Sequence, residues 1–300
     1  MKSILVSGLV NIETTVPVNR FPIDYCPIDY LFNRIDSNAS GVGINISAAL
    51  KALGTEPYLL SVVGRDRHSD IIRGELRDRM ITNELFPLAE CAAQSVVMYD
   101  DTGARRIYCD LKNIQDILLP ADKLQNALSE TTLAVVCNIN FSRVLLKPLR
   151  EKGICIATDL HVLSDIRDQY NAEFMEAADI LFLSNESIMG TEQDFIMLLA
   201  QAYESKIIVI GMGERGALMY VRNENSVTHY PARHTRDIVN TVGAGDALFS
   251  CFLHFYNKTG EPHTSLENAI IFASWKIGEK GASKGFLAEP ELLGIKAKLD

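Results

Sequence analysis

Short apolar runs alternate with helical stretches along most of this chain, and that alternation leaves few folds open. Ser3 to Gly8, Pro57 to Val63, Leu133 to Cys137, Ile154 to Thr158 and Ile180 to Leu183 each read as buried strands. Runs that are apolar on both faces suit parallel strands covered by helices. Gly41 to Gly43 opens a helix running to about Leu53, Ser69 to Arg79 reads as an exposed amphipathic helix, and Leu266 to Gly278 as a further one. From Pro120 onward helix and strand alternate, which predicts an α/β protein: a doubly wound, mainly parallel sheet with right-handed crossovers, flanked by helices. The 300 residues show no internal repeat, low-complexity tract or linker.

The stretch Asn240-Thr241-Val242-Gly243-Ala244-Gly245-Asp246-Ala247-Leu248-Phe249 places two glycines and a carboxylate directly before an apolar helical run. Glycines let backbone N–H groups converge, and a helix start adds partial positive charge, so Gly243, Ala244 and Gly245 suit an anion cradle. Asp246 stands at its rim, where a carboxylate can accept a proton from an attacking alcohol. A cradle for negative oxygens beside one base is what phosphoryl transfer to a hydroxyl requires. The same residues also suit a plain turn and helix cap, because Asp is favourable near any helix N-terminus.

Asn-Thr-Val-Gly-Ala-Gly-Asp, residues 240–246, resembles the D-T-x-G-A-G-D signature of the ribokinase-like (PfkB) sugar and nucleoside kinases. Ser40-Gly41-Val42-Gly43-Ile44-Asn45 through Gly54 resembles that family's N-terminal G-G-x-G-x-N signature, and Val62-Val63-Gly64-Arg65-Asp66 its V-G-x-D. Three motifs in the right order are more specific than any one of them. The resemblance implies a single ribokinase-like domain over 1–300, with a small β lid inserted from about 10–37 and 93–112. The runs flanking Asp101-Thr102-Gly103 carry the hairpin signal for half of that lid.

The resemblance also assigns residues. Asp246 is the implied catalytic base, with Gly243, Ala244 and Gly245 around the transferring phosphoryl group. Asn11, Glu13, Gly41, Val42, Gly43, Asn45, Asn138 and Asn140 are the implied substrate-binding set, and Asp159 sits just past a strand end beside them. Asn185, Gly213, Gly216, Thr241 and Gly281 are implied on the ATP side. ATP and Mg2+ follow from the family; the region around Gly281 lines a monovalent-cation site in some members. This chain departs from the pattern in carrying Glu13 for Asp, Ser40 for Gly, Ile188 for the Glu of N-x-x-E and Asn240 for Asp, so the metal ligands stay unassigned. Lys206 to Gly216 contains a G-x-G-x-x-G, but Ala217 to Val221 after it reads as a strand, which excludes a dinucleotide site.

The expected activity is ATP-dependent phosphorylation of a primary hydroxyl on a nucleoside or sugar. Val42 and Asn140 stand where ribose-specific members carry Lys and Glu, and the surrounding motifs look more like the pseudouridine kinase branch, although Ile44 replaces its usual Arg. A hexose or pentose kinase, such as a fructokinase or ribokinase, is the alternative. A non-catalytic sugar- or nucleotide-binding relative is a third reading, given Ile188 and Asn240.

A formal charge of −9 argues against a general nucleic-acid or anionic-membrane surface, and no apolar run is long enough to span a bilayer. The six scattered cysteines lack a C-x-x-C pair and mostly fall in apolar runs, so buried free thiols and a reducing, cytoplasmic setting are expected. The start reads as a strand rather than a signal peptide. Lids of some family members pair between subunits, and the aromatic, proline-rich segment from Phe21 to Phe32 offers a surface for such a homodimer.

Overall fold

The computed structural model describes residues 3–120, 122, 124–129 and 131–299. Its large sheet contains β1 (Ser3–Ser7), β4 (Pro57–Val62), β5 (Thr82–Phe86), β8 (Thr131–Val136), β9 (Cys155–Val162), β10 (Ile180–Ser184), β11 (Ile207–Gly211), β12 (Ala217–Val221) and β13 (Ser226–Tyr230). The spatial order is β13-β12-β11-β10-β9-β8-β1-β4-β5. From β5 to β11 neighbouring strands run parallel, and β12 and β13 extend the edge as an antiparallel hairpin. This is the doubly wound, mainly parallel α/β sheet that the alternation predicts.

Side chains one residue apart point to opposite faces, so each central strand feeds two cores. Ile4, Val6, Val135 and Phe182 pack on one face with Ile44, Phe249, Phe252 and Phe272. These come from helices α1 (Val42–Ala52), α7 (Ala244–Thr259) and α8 (Pro262–Lys276). Leu5, Ala134, Val136 and Leu181 pack on the other face with Leu149, Phe174 and Leu199. Strands buried on both sides must be apolar throughout, which is why β1, β8 and β10 are legible as unbroken runs.

A second, four-stranded sheet stands apart, in the order β3 (Asp36–Ser40), β2 (Asn11–Pro17), β6 (Ala93–Tyr99), β7 (Arg105–Asp110). Its central pair is parallel and its outer pairs antiparallel. The turn at 100–104 is held by the Asp100 carboxylate, which accepts hydrogen bonds from Thr102 and Ala104. Asn11 and Glu13 therefore lie in a strand rather than in a loop after one. Tyr25, Tyr30 and Phe32 are 92%, 72% and 80% exposed in the irregular segment between β2 and β3.

The expectation for the cysteines holds only in part. Cys137 and Cys251 are buried, Cys91 and Cys155 half-buried, and Cys26 and Cys109 exposed, all of them free thiols. Cys109 lies on β7, an edge strand exposed along its whole length, and Cys26 on the irregular connection between β2 and β3. Among the described residues no helix is long and apolar enough to cross a membrane.

Two backbones meet where α1 joins the large sheet. A Cβ on Gly43 would lie 2.8 Å from the Gly8 carbonyl oxygen, and one on Gly8 would lie 2.7 Å from Cys137 Sγ. Gly43 also donates its N–H to the Leu9 carbonyl at 2.9 Å. The glycines thus let the helix start press onto the end of β1. Gly43→Ala should cost about 1–3 kcal/mol of stability through this overpacking, read as a lower urea midpoint at unchanged slope.

Candidate active site

Ligands of open α/β sheets bind beyond the strand C-termini where the strand order reverses. Here β1 has β4 on one side and β8 on the other, so the reversal lies at the ends of β1 and β8. The N-termini of α1 and α7 both arrive there. Gly41 enters α1 at φ 98° with its Cα facing the Leu9 carbonyl, a position where a Cβ would meet that oxygen at 2.6 Å. Gly243 caps α7 at φ 79°.

Asp246 occupies the first turn of α7 and is buried. Asn45, in α1, donates from Nδ2 to Asp246 Oδ2 at 2.8 Å and accepts from Ser40 Oγ at 3.3 Å. Burial pushes the Asp246 carboxyl up to about 6, the nearby Asp159 adds to this, and His161, Asn45 and Lys276 oppose it. Glu13 on β2 is likewise raised to about 6, first by burial and then by the charge of Asp246. Asn11 shares its strand face two residues away. The Asn11 amide donates to Ser95 Oγ at 2.9 Å, while its buried Oδ1 has no hydrogen-bond partner among the described residues.

His161 and Asp159 complete this wall. Between β9 and β10 the register slips, with Asp159 opposite Phe182 but Val162 opposite Ser184, so β9 carries one extra residue. Such a bulge re-aims side chains. His161 sits in it at φ 61°, donates its N–H to Asp159 Oδ1 at 2.9 Å, and places Nδ1 at 3.5 Å from Asp159 Oδ2. Ligand-type atoms of Asp159, His161 and Asp246 lie within 4.8 Å of one another, close enough to hold a cation together.

The glycine-bearing loop that the sequence offers as an anion cradle precedes α7. Asn240 Oδ1 accepts the Val242 N–H at 2.7 Å, and the Thr241 carbonyl accepts the Ala244 N–H at 3.2 Å. Gly243 is pressed against the 282 turn, since a Cβ there would lie 2.7 Å from the Ala282 carbonyl oxygen. Gly245 faces open space, where a Cβ would meet no atom within 4 Å, so the helix start has room for an anion. The second sheet reaches this loop. Val97 of β6 packs with Val242 and Ala282, and Arg105 of β7 donates to the Thr241 carbonyl and hydroxyl at 3.4 Å each. Arg105 also pairs with Glu186 at 3.1 Å.

Other residues singled out in the sequence are engaged elsewhere. Asn138 donates to the Leu160 carbonyl and to Asn171, and Asn140 donates to the Gln115 carbonyl and accepts from Arg143. Both amides brace loops. Val42 packs against the core. Gly216 is explained by the β13 backbone, because a Cβ there would sit 2.0 Å from the Tyr230 carbonyl oxygen, whereas Gly213 and Gly281 are open. Asn185 donates to Glu192 at 3.0 Å, and Ile188 packs on the core where the resemblance implies Glu. Glu192 is held down to about 2, chiefly by Arg215 and then by Asn185. Residues missed in the sequence are His161, Arg105, Glu192 and the buried Lys276. Only Lys276, one charge ending an apolar helix, carries a usable signal.

Comparison with known proteins shows the family and the fold. The family model described as pfkB family carbohydrate kinase matches residues 1–288. The chain is 23% identical to an ATP-dependent ribose-1-phosphate kinase of Halopiger xanaduensis, covering 100% of both chains. It is 22% identical to a ribokinase of Dictyostelium discoideum, covering 97% of this chain and 99% of that one. Among solved structures it is similar to a microbiome-derived acarbose kinase, Mak1, at TM-score 0.89 and 20% identity over 99% of each chain.

The raised Asp246 carboxyl has a consequence for stability. Between its ordinary 3.8 and about 6, the folded chain keeps a proton that the unfolded chain has released. Stability contributed by this group therefore falls as pH rises through that window and stays low above it. Asp246→Asn should raise the unfolding free energy at pH 8 by about 1–3 kcal/mol and leave it nearly unchanged below pH ~4, as read by denaturant titration at both values.

Proposed function

This chain belongs to the pfkB family of carbohydrate kinases and is a sugar or nucleoside kinase, and we propose that it moves the γ-phosphoryl group of ATP to the primary hydroxyl of a neutral nucleoside, with Asp246 as general base. The observation that carries this reading is the position of Asp246: a buried carboxylate on the first turn of α7, directly behind an anion loop. A carboxyl titrating near 6 is ionised at neutral pH yet basic enough to take an alcohol proton as attack proceeds. Asn45 fixes the carboxylate by the 2.8 Å bond to Oδ2. The acceptor oxygen forms its bond to the γ-phosphorus, the bond to the β-phosphate oxygen breaks, ADP leaves, and the proton passes to Asp246. The N–H groups at the α7 start, Gly243 foremost, face the charge that builds on the equatorial oxygens. Arg105 brings a guanidinium from the second sheet to Thr241.

Kinases of this family typically use magnesium, which offsets phosphate charge when bound. Asn185 and Glu192, in contact at the end of β10, would hold it there with Arg215 beside the carboxylate, since an ion that keeps several waters needs only one or two carboxylates. Glu192 supplies the acid that Ile188 withholds.

The acceptor side is acidic. Glu13, Asp159 and Asp246 line it, with half-exposed His161 as the accessible counter-group. That disfavours a sugar already carrying a phosphate, and favours a neutral polyol whose vicinal hydroxyls meet Asn11 and Glu13. The unpartnered Asn11 Oδ1 supports a hydroxyl donor there. Pseudouridine is the first compound to try. The exposed Tyr25, Tyr30 and Phe32 support lid-to-lid pairing of two copies, which sedimentation would read.

ADP formation over pseudouridine, uridine, adenosine, ribose, fructose and ribose 1-phosphate should be greatest with a nucleoside. Turnover confined to a free hexose or to the sugar phosphate would reject the neutral-nucleoside assignment. Asp246→Asn should lower kcat by about 10²–10⁴-fold while ATP still raises the melting temperature. In the wild type, kcat/KM should fall on the acid side of about pH 6, where Asp246 gains its proton.

A further inference from the structure

Lys276 is the last residue of α8 and its side chain is fully buried. Its ammonium meets no carboxylate within ion-pair distance among the described residues. It donates instead to two backbone carbonyls, Gly281 O at 2.7 Å and Val242 O at 3.4 Å. A charge held by carbonyl oxygens, between a helix end and the anion loop, is the environment of a bound monovalent cation rather than of a salt bridge. We propose that Lys276 is a tethered replacement for such a cation, holding the anion loop in register so that this kinase works without potassium or ammonium. The inference rests on the phosphotransferase reading of the same loop.

The carbonyls a free cation would need are therefore already taken, and the site does not fit one. Burial pulls Lys276 down to about 8, against Glu279, Asp246 and Glu13, so a cationic form persists at neutral pH. Its effect on the loop follows from peptide geometry. A trans peptide sets C=O and N–H on opposite sides. With the Val242 carbonyl drawn towards Lys276, the Gly243 N–H is turned the other way. That N–H has no partner among the described residues. Lys276 is thus a positioning residue for the donor that meets the transferring phosphoryl group. Asn240 holds the preceding peptide through the Val242 N–H, so the loop is fastened from both directions.

The test compares wild type with Lys276→Ala and Lys276→Met in buffers whose monovalent cation is tetramethylammonium, sodium, potassium or ammonium. Wild-type kcat should change less than about twofold among them, since no cation site is open. Lys276→Ala should lose about 10²-fold in kcat and regain at least about tenfold with ammonium or potassium, which fit the vacated space. Lys276→Met fills that space and should lose activity without rescue. Melting temperature gives a readout that needs no substrate: potassium should raise it in Lys276→Ala and not in wild type. A wild type activated by potassium overturns the proposal, as does a folded Lys276→Ala whose kcat and melting temperature ignore every cation. Either result leaves the base reading standing if Asp246→Asn still abolishes turnover, so the two failures are distinguishable.

Discussion

The site depends on a single close approach. The N-termini of α1 and α7 must reach the same point above β1, because only then do Asn45 and Asp246, 201 positions apart in sequence, come within 2.8 Å. Glycine makes that approach sterically possible. Gly8 and Gly43 let α1 settle on the strand end, and Gly243 lets α7 start against the 282 turn. Side chains at any of these three would push a helix outward by the width of a methyl group. The carboxylate would then lose its one fixed donor and gain water. The family signatures are, in this light, mainly statements about how near three backbones stand to each other.

What this geometry concentrates is negative charge in a dry place. Desolvation leads the shift of both Asp246 and Glu13, and each raises the other or is raised by its neighbours. A fold tolerates such a group when the strain serves chemistry. Two fixed positive groups stand nearby in different directions: Arg105 approaches from the second sheet, and Lys276 lies beneath the loop. The helix start of α7 supplies the rest as partial charge. Ionised Asp246 is thus held in place without an ion pair that would quench its basicity.

The sheet is legible in the sequence because parallel strands buried on both faces must be continuous apolar runs, and the flanking helices because their periodicity differs. The turn ahead of α7 is legible because Gly243 takes a left-handed conformation that glycine adopts without strain. Asn138 and Asn140 show where reading stops. As polar residues past a strand end they suit a crevice, yet their amides are bound to Asn171 and Gln115, partners in distant loops that no local pattern announces. The resemblance puts Asn45 on a substrate hydroxyl, while the structure ties it to Asp246. Glu192 restores a carboxylate beside Asn185 from one turn further along, a swap visible only once α6 (Glu192–Ala202) is set against β10. Lys276 stands out as one charge ending an apolar helix, but its partners and those of Arg105 include backbone carbonyls, which leave no mark in a sequence.

The second sheet joins the two halves of the reaction. Its strand β2 carries Asn11 and Glu13, the latter close enough to Asp246 to feel its charge, and its strands β6 and β7 carry Val97 and Arg105 onto the loop before α7. β2, β6 and β7 are hydrogen-bonded in one sheet. The sheet that carries Asn11 and Glu13 is therefore also the one whose Val97 packs against Val242 and Ala282. Val97 is fully buried there and keeps water from that side of the loop. A loop fastened from the second sheet and from α8 together is a more rigid platform than a helix start alone supplies.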